Sequence, residues 1–446
     1  MIEICSIGGY DEIGKNMTAI KIDNQVVIID MGLYLPSYIE ITEDEDIKQV
    51  PVKRLVEVGA IPDDSVISDW KKDVCAIIPT HAHLDHLGAL PFISNKYDAD
   101  ILCTPYTREL ILTICRDERL KLNNKIKPLS SNSKYKINLE DGSEGIEIEF
   151  IHTTHSTPQA VMVAIHSKYG TVLYCNDFKF DSFPVLGKKP NFKRLKELGE
   201  KGCVKVLISD STGAENASKT PSESVARQML KDLLLGINAE DKAILVTTFS
   251  SHIARLKSII DYAKRIDRKV LMLGRSLAKY VHAAENVNLV DFSKDVKIVK
   301  YSNKVQNALK LIEKNKHKYL IIATGHQGES KAVLSKIARG DFKFKLEKDD
   351  SVIFSCSVIP NKINIEARDV LEKELKKRQV RIFKDIHVSG HASREDLRDL
   401  INMVKPNIII PAHCEPDMKE AMKELAEECD VPKVLLMGDG ERFKVE

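Results

Sequence analysis

The sequence predicts a mixed α/β chain: a β-rich architecture with polar residues at its strand ends, interrupted by a second domain built on a parallel sheet. Three observations carry that expectation. At 446 residues the chain is too long for one ordinary core, so two or more domains are expected. Up to about residue 205, short apolar runs end in His, Asp and Asn. From there to about residue 369, β-branched runs alternate with helical patterns, as a parallel sheet covered on both faces requires.

Residues 1–30 read as two strands, "IEICSIG" and "NQVVIID", separated by the glycine-rich "GGYDEIGKNM". An acidic, proline-marked connector over residues 36–70 holds "TEDED" and the single tryptophan, Trp70. It leads to the strand "DVCAIIPT", after which "HAHLDH" opens a helix. Strands return at "GIEIEFIH", "AVMVAIH" and "TVLYCND". "VKVLISD" then starts the second rhythm. The helix "TPSESVARQMLKDLLLGI" follows it, with Thr220, Pro221 and Glu223 spelling a capping box. "KAILVTTF" precedes "SHIARLKSIIDYAKR", and "KVLMLG" precedes "RSLAKYVHAAE". "YLIIATG" and "SVIFSC" act as further strands. Beyond "ARDVLEKELKKRQV" polar-ended strands return at "FKDIHVSGHAS" and "NIIIPAHCE". The charge runs "KNKHK" and "KKRQVR" read as solvated helix faces.

Composition narrows the class. A net charge of +2 creates no global positive field, so a nucleic-acid partner has to be argued from a site. Nine cysteines without a CxxC pair argue for reduced thiols rather than a disulfide framework. The opening "MIEICSIGGY" has no basic leader, and no apolar run approaches ~18 residues. A cytoplasmic protein with no membrane partner is the expectation.

The stretch at residues 81–86 carries the chemistry. Zinc takes neutral imidazole and carboxylate in compact shells, and hydrolytic sites keep a position open for water. His81 and His83, two apart, can point to one side, and Asp85 and His86 can serve a second ion beside the first. Two ions need further ligands, and three candidates sit at strand ends: His155 in "TTHSTP", Asp177 in "YCNDFKFD" and His413 in "IIIPAHCE". Singly, each would read as a turn or core residue; with HxHxDH present they read as ligands. His152, His166, His282, His317 and His387 lie in strand or helix patterns without a partner and read as structural.

HxHxDH followed by a distant His, an Asp and a C-terminal His resembles the metallo-β-lactamase superfamily. "SDST", "VSGHAS" and "PAHCE" resemble motifs A, B and C of its β-CASP nucleases. "GGYDEIGKNM", "SDSTGAENASKTPSE", "TFSSHIARL", "GRSL", "GHQGES" and "HVSGHASREDL" extend the resemblance over almost the whole chain, most closely to ribonuclease J in its shorter archaeal form. His326 stands where that family more often has a small residue, and Cys414 where it has glycine.

The resemblance implies an αββα metallo-β-lactamase sandwich (1–205 and 370–446) with an inserted parallel α/β β-CASP domain (206–369). It also implies two zinc ions per chain. His81, His83 and His155 would hold one, Asp85, His86 and His413 the other, and Asp177 would bridge them. Asp30, ending "VVIID", would brace the metal loop, and Asp210 is the aspartate of motif A. Asp85 would be essential for catalysis, and His391 would contact the scissile phosphate, where it could stabilise charge or help protonate the leaving 3′-oxygen. The implied substrate is single-stranded RNA, degraded from a 5′-monophosphate; a homodimer is the assembly the resemblance allows.

Such an enzyme must also hold a terminal phosphate, for which hydroxyls and N–H groups at helix N-termini are suited. Ser250, Ser251 and His252, Arg275, and Ser389 to Ser393 (Ser389, Gly390, His391, Ala392, Ser393) have that chemistry. The nearest alternative is a β-CASP endoribonuclease of the mRNA 3′-end cleavage type, and dual activity is compatible with the residues. A small-molecule hydrolase of the same superfamily would lack the α/β insertion and motif B.

Overall fold

The computed structural model describes residues 1–44, 50–137 and 145–445; the end of the acidic run "TEDED", residues 45 and 46, lies outside them. In chain order the strands are β1 (Ile2–Gly8), β2 (Met17–Ile22), β3 (Gln25–Ile29), β4 (Val74–Ile78), β5 (Asp100–Cys103), β6 (Ile126–Pro128), β7 (Lys134–Lys136), β8 (Glu147–His152), β9 (Val161–Ser167), β10 (Gly170–Cys175) and β11 (Val204–Asp210). Then come β12 (Ile244–Thr247), β13 (Lys269–Leu273), β14 (Val296–Val299), β15 (Tyr319–Ala323), β16 (Ser351–Phe354) and β17 (Arg381–Phe383), followed by β18 (Ile408–Ala412), β19 (Lys433–Val434) and β20 (Glu441–Val445).

Two compact units form. The first comprises Met1–Ser182, Lys188–Thr220 and Gly390–Glu446. It holds two seven-stranded sheets, ordered β20-β1-β2-β3-β4-β5-β6 and β19-β18-β11-β10-β9-β8-β7. Ile4, Ile20, Val27, Ile29 and Ile78 of one sheet share a core with Phe150, Val163, Ile165, Val206, Ile208 and Ile410 of the other. The second sheet is also covered on its far face, where Met162, Leu173 and Leu207 meet Leu195, Leu198, Leu397, Leu400 and Leu425 of helices. A sheet buried on both faces explains why "VLISD" and "IIIPA" are continuous apolar runs.

Register places the site. β10, β11 and β18 run parallel, with Tyr174 opposite Ile208 and Asp210 opposite Ala412. Their carboxyl ends therefore finish side by side, delivering Asp177, Asp210 and His413 to one rim. In the other sheet β3 and β4 are parallel with Ile29 opposite Ile78, which sets Asp30 beside the start of "PTHAHLDH".

The second unit comprises Phe183–Gly187 and Pro221–Ser389. Its six strands form one parallel sheet ordered β14-β13-β15-β12-β16-β17. Both Leu245 and Val246 of β12 are fully buried, so this sheet too is covered on both faces.

Three local expectations are corrected. The glycine-rich segment ends in an unexpected strand, β2, whose "TAIKI" pairs antiparallel with both β1 and β3. The helix expected to be capped by Thr220 starts at Glu223 with Ser222 as its cap. Thr220 is occupied elsewhere, its hydroxyl bonding the His391 carbonyl at 2.7 Å. Glu223 is claimed by the fully buried Arg255, at 2.5 and 2.8 Å. An unpaired buried guanidinium costs more than a cap contributes, so the ion pair wins. Finally, of "FKDIHVSGHAS", expected as a strand, only its first residue, Phe383, belongs to one, as the last residue of β17, and the rest is loop and turn.

Glu149 of β8 links this architecture to pH. It accepts from His166 of β9 at 2.8 Å and from Arg194 at 2.7 and 2.9 Å. Burial opposes its charge, but His166 and Arg194 outweigh burial and hold the carboxyl down at about 2, against 4.5 when free. Its stabilisation is thus complete above pH 4.5 and lost as pH falls through about 2. In denaturant titrations Glu149→Gln should be clearly less stable than wild type at neutral pH, with the gap closing towards pH ~2; a gap independent of pH would contradict this assignment.

Candidate metal centre

After β4 the chain runs through Thr80 and the fully buried His81 into a one-turn helix, Leu84–Leu87, entered at His83. Backbone bonds lock that turn: Asn16 N–H donates to Asp85 O at 3.1 Å, and Met31 N–H to His86 O at 2.7 Å. Gly32 is required here, because a Cβ would fall 1.6 Å from Asp85 O. Three candidate residues adopt left-handed backbone conformations: Asp30 (φ 61°), Asp177 (φ 49°) and His413 (φ 54°). Such strain costs on the order of 1–3 kcal/mol per residue and persists where the surroundings fix it. His413 is fixed by its own N–H, which donates to Gly9 O at 2.6 Å.

The seven residues expected as ligands converge. The donor atoms of His81, His83, His155 and Asp177 lie within 4.8 Å of one another, and so do those of Asp85, His86, Asp177 and His413. Asp177 divides its two oxygens between the sets. Its Oδ2 is 3.4 Å from Nε2 of both His81 and His155. Its Oδ1 is 3.1 Å from His86 Nε2 and 3.6 Å from His413 Nε2. Asp85 Oδ2 closes the second set at 3.7 Å from His86 and 3.9 Å from His413.

Do these residues fit metal ions? The outer ring nitrogens answer. His81 Nδ1 bonds Thr80 Oγ1 at 3.0 Å, His86 Nδ1 bonds Asp30 Oδ2 at 2.8 Å, and His155 Nδ1 bonds Gly390 O at 2.7 Å. His413 Nδ1 lies 3.0 Å from Asn16 Oδ1. Assigned from these acceptors, the outer nitrogens of His81, His86 and His155 carry the proton and their Nε2 atoms turn lone pairs inward, while His413 Nδ1 lies against both ends of the Asn16 amide, 2.8 Å from Nδ2 and 3.0 Å from Oδ1. His81 Nε2 and His155 Nε2 each sit 3.1 Å from His83 Nδ1, too close for facing lone pairs unless a proton or a cation lies between. Asp177 Oδ1 is buried without a hydrogen bond. Donor separations of 3.1–3.9 Å bracket the edge of about 3.3–3.6 Å that a tetrahedral shell with bonds of about 2.0–2.2 Å would have. The donor sets fit divalent ions of the zinc type.

Charge states agree. Burial, reinforced by His81, pushes His83 down to about 3, and burial also lowers His81 and His155, leaving neutral imidazoles that can ligate. At His86 burial is opposed by Asp177, Asp30 and Asp85, which together raise it well above 6.5. A cation in the second set therefore competes with a proton.

His391 stands beside the ligands. Its Nδ1 is 2.8 Å from Asp210 Oδ2, its Nε2 is 3.9 Å from Asp177 Oδ2, and its ring stacks over His413 at 5.6 Å. Burial disfavours its charge, yet Asp210 and Asp177 override burial and raise it to about 9. The side chain keeps 27% exposure, enough to meet a substrate. Asp210 is itself held by Thr212 N–H at 2.9 Å.

The other expected site residues divide. Gly390 serves His155: its carbonyl orients the ring, and a Cβ would come within 2.9 Å of it. Ala392 and Ser393 are buried, Ser393 sharing hydrogen bonds with Thr220 and Asn216. Ser250, Ser251, His252, Arg275 and Ser389 belong to the second unit. There Ser250 Oγ meets Ser276 Oγ at 3.0 Å across the N-termini of helices Ile253–Arg265 and Arg275–Asn286, with Arg275 exposed. His252 caps the first of these helices and lies 3.3 Å from Glu223.

Sequence reasoning missed the supporting shell of Asn16, Thr80, Tyr174 and Asn176. Thr80 donates its N–H to Asp30 at 2.8 Å, Tyr174 OH to Asp30 at 3.2 Å, and Asn176 its amide to Tyr174 OH at 2.8 Å. Only Asn16 had a signal, its place in the glycine-rich "GGYDEIGKN".

Comparison with known proteins agrees with this geometry. Residues 10–196 match the metallo-beta-lactamase superfamily, residues 241–370 the ribonuclease J beta-CASP domain, and residues 377–435 the Zn-dependent metallo-hydrolase RNA specificity domain. Ribonuclease J of Methanocaldococcus jannaschii is 42% identical over 96% of this chain and 94% of its own length. That of Pyrococcus abyssi is 42% identical over 96% and 93%. Ribonuclease J of Helicobacter pylori is 30% identical over 100% of this chain but 61% of its own. A crystal structure of a protein of unknown function from Enterococcus faecalis V583 superposes with a TM-score of 0.66 at 16% identity, covering 99% of both chains, and shows the fold alone. The chain thus belongs to the ribonuclease J family, nucleases of the metallo-hydrolase class with metallo-beta-lactamase, beta-CASP and RNA-specificity domains.

Proposed function

We propose that this protein is a zinc-dependent 5′→3′ exoribonuclease that removes nucleotides from 5′-monophosphorylated single-stranded RNA. The observation that carries the reading is the division of the Asp177 oxygens between two ligand sets, in a chain of the ribonuclease J family. His81, His83 and His155 would hold one ion and Asp85, His86 and His413 the other, with Asp177 shared. When bound, two ions lower the pKa of water and neutralise charge during in-line displacement at phosphorus. His391 carries the proton at Nε2 and gives it to the leaving 3′-oxygen, while Asp210 anchors its Nδ1. Ser250, Ser251, His252 and Arg275, with Ser389, receive the terminal phosphate; the paired helix N-termini and the exposed Arg275 support this role.

The layout we propose is a metallo-β-lactamase domain in two parts, 1–205 and 370–446, around a β-CASP domain, 206–369. The match over 241–370 and the compact unit Pro221–Ser389 support an insertion, but with shifted ends: β11 (Val204–Asp210), expected to open the inserted sheet, pairs with β10 and β18 of the first unit, and β17 pairs with β16 of the second. A cytoplasmic site of action is supported by nine cysteines without disulfide partners; no described helix is long and apolar enough to cross a membrane.

Three outcomes test this reading. Asp30→Asn removes the carboxylate that orients His86, and should weaken metal binding about 10- to 100-fold in competition with a chelator; unchanged affinity would show that Asp30 does not act through His86. His391→Ala should lower kcat by about 10²–10⁴ with metal content unchanged. In wild type, kcat should fall as rising pH takes the proton from His391, and Asp210→Asn, which removes the carboxylate that holds that proton, should move the limb to lower pH. A limb that stays put in Asp210→Asn would remove His391 as the acid. Lastly, a time course on 5′-labelled RNA should release labelled mononucleotide early from a 5′-monophosphate and slowly from a 5′-triphosphate. Internal fragments indifferent to the 5′ group would identify an endonuclease instead.

A further inference from the structure

The chain as a whole carries only +2, so something local must hold RNA beyond the metals. The first unit has a surface cleft of about 660 Å³ lined by Asn132, His152, Lys188, Lys189, Asn191 and Lys193, with Pro190 and Phe192 completing the wall. Three lysines and no carboxylate face it. All three lysines are exposed, and the nearest acid on the adjoining helix, Glu197, is bound to Arg194 at 3.1 Å and lies 3.9 Å from Lys193. A second cleft of about 480 Å³ on the same unit is lined by Glu215, Asp417, Glu420 and Glu424 around Arg394, the wrong sign for a polyanion.

The basic cleft has a fixed frame. Asn132 Oδ1 accepts from His152 N–H at 3.0 Å and from Asn191 Nδ2 at 2.8 Å, His152 O accepts from Asn191 N–H at 3.0 Å, and His152 Nε2 bonds Lys188 O at 2.9 Å. Burial lowers the His152 pKa, so its ring serves this frame as a neutral group. The cleft is also tied to the metal centre. His152 is three residues from His155, a reach of about 11 Å at most. Phe192 packs on Phe180 at 5.1 Å and Phe180 on Phe178 at 5.0 Å, and Phe178 directly follows Asp177.

We propose that this cleft is a second RNA-binding site, in which Lys188, Lys189 and Lys193 neutralise backbone phosphates of a strand engaged at the metal centre, with Phe192 offering a ring edge to a base or sugar. The proposal rests on RNA being the substrate, but not on the direction of cleavage.

The test removes the three lysines together (Lys188→Ala, Lys189→Ala, Lys193→Ala) in the full chain. Equilibrium binding of labelled single-stranded RNA is read across a salt series with the metal in place, in a His391→Ala background in which cutting is slow. Each phosphate contact contributes about 0.7 to the slope of log K against log salt, so the variant should lose about 2 in slope and bind about tenfold or more weakly at low salt. Its KM should rise for RNA and not for a dinucleotide, with kcat unchanged. A control lacking the exposed Lys53, Lys71 and Lys72 should match wild type. A triple variant with wild-type slope and KM would overturn the proposal. So would AMP competing for the cleft as well as RNA does, which would mark a mononucleotide site. Wild type that fails to bind RNA would sink both this cleft and the proposed function. Internal cutting with the predicted salt slope would sink only the 5′→3′ reading.

Discussion

The structure turns on one carboxylate. Asp177 is 1% exposed, held in a left-handed conformation, and faces five imidazoles from four separate parts of the chain. A buried charge of this kind is costly unless compensated. Burial works against its ionised form, yet His413, His86 and His391 hold its pKa well below the ordinary carboxylate range. The compensation has to be exact in placement, so the surrounding fold is organised around it: parallel strands finish in register, Gly32 lets the Asp85 turn approach, and Gly390 anchors His155.

Support is layered outward from that point. Asp30 receives Thr80, Tyr174 and His86, so one buried aspartate fixes a candidate ligand, the loop that carries three more, and the neighbouring sheet. Asp210 does the same for His391. The result is a pair of aspartate–histidine couples with different tasks: the first turns a lone pair inward, while the second keeps a proton on a ring that remains partly exposed. Asn16 spans both sheets, reaching Asp85 O at 3.0 Å and His413.

Much of this was legible in the sequence, for identifiable reasons. HxHxDH has few structural uses, and His155, Asp177 and His413 each follow an apolar run, so strand ends could be read as a shared rim. The alternation of β and α over the inserted region likewise announced a parallel sheet. What escaped depends on long-range partners. Thr80, Tyr174 and Asn176 look like ordinary strand residues until Asp30 is placed among them. The capping box at Thr220 was a sound local pattern, overridden because Arg255 is buried 32 residues away and needs Glu223. β2 was hidden because it follows the glycine-rich segment directly and its polar residues, Thr18 and Lys21, interrupt the apolar run. Lys188, Lys189 and Lys193 lie in a loop and a helix start without periodicity, and only folding brings them to one cleft with His152.

The central claim is that two ions share Asp177, and counting metal per chain tests it most directly. Elemental analysis of protein purified without chelator should find about two zinc-type ions per wild-type chain. His83→Ala and His413→Ala should each lose one, and Asp177→Ala should weaken both together. A single ion in wild type, or an Asp177→Ala protein that keeps one site at full affinity, would contradict a shared carboxylate.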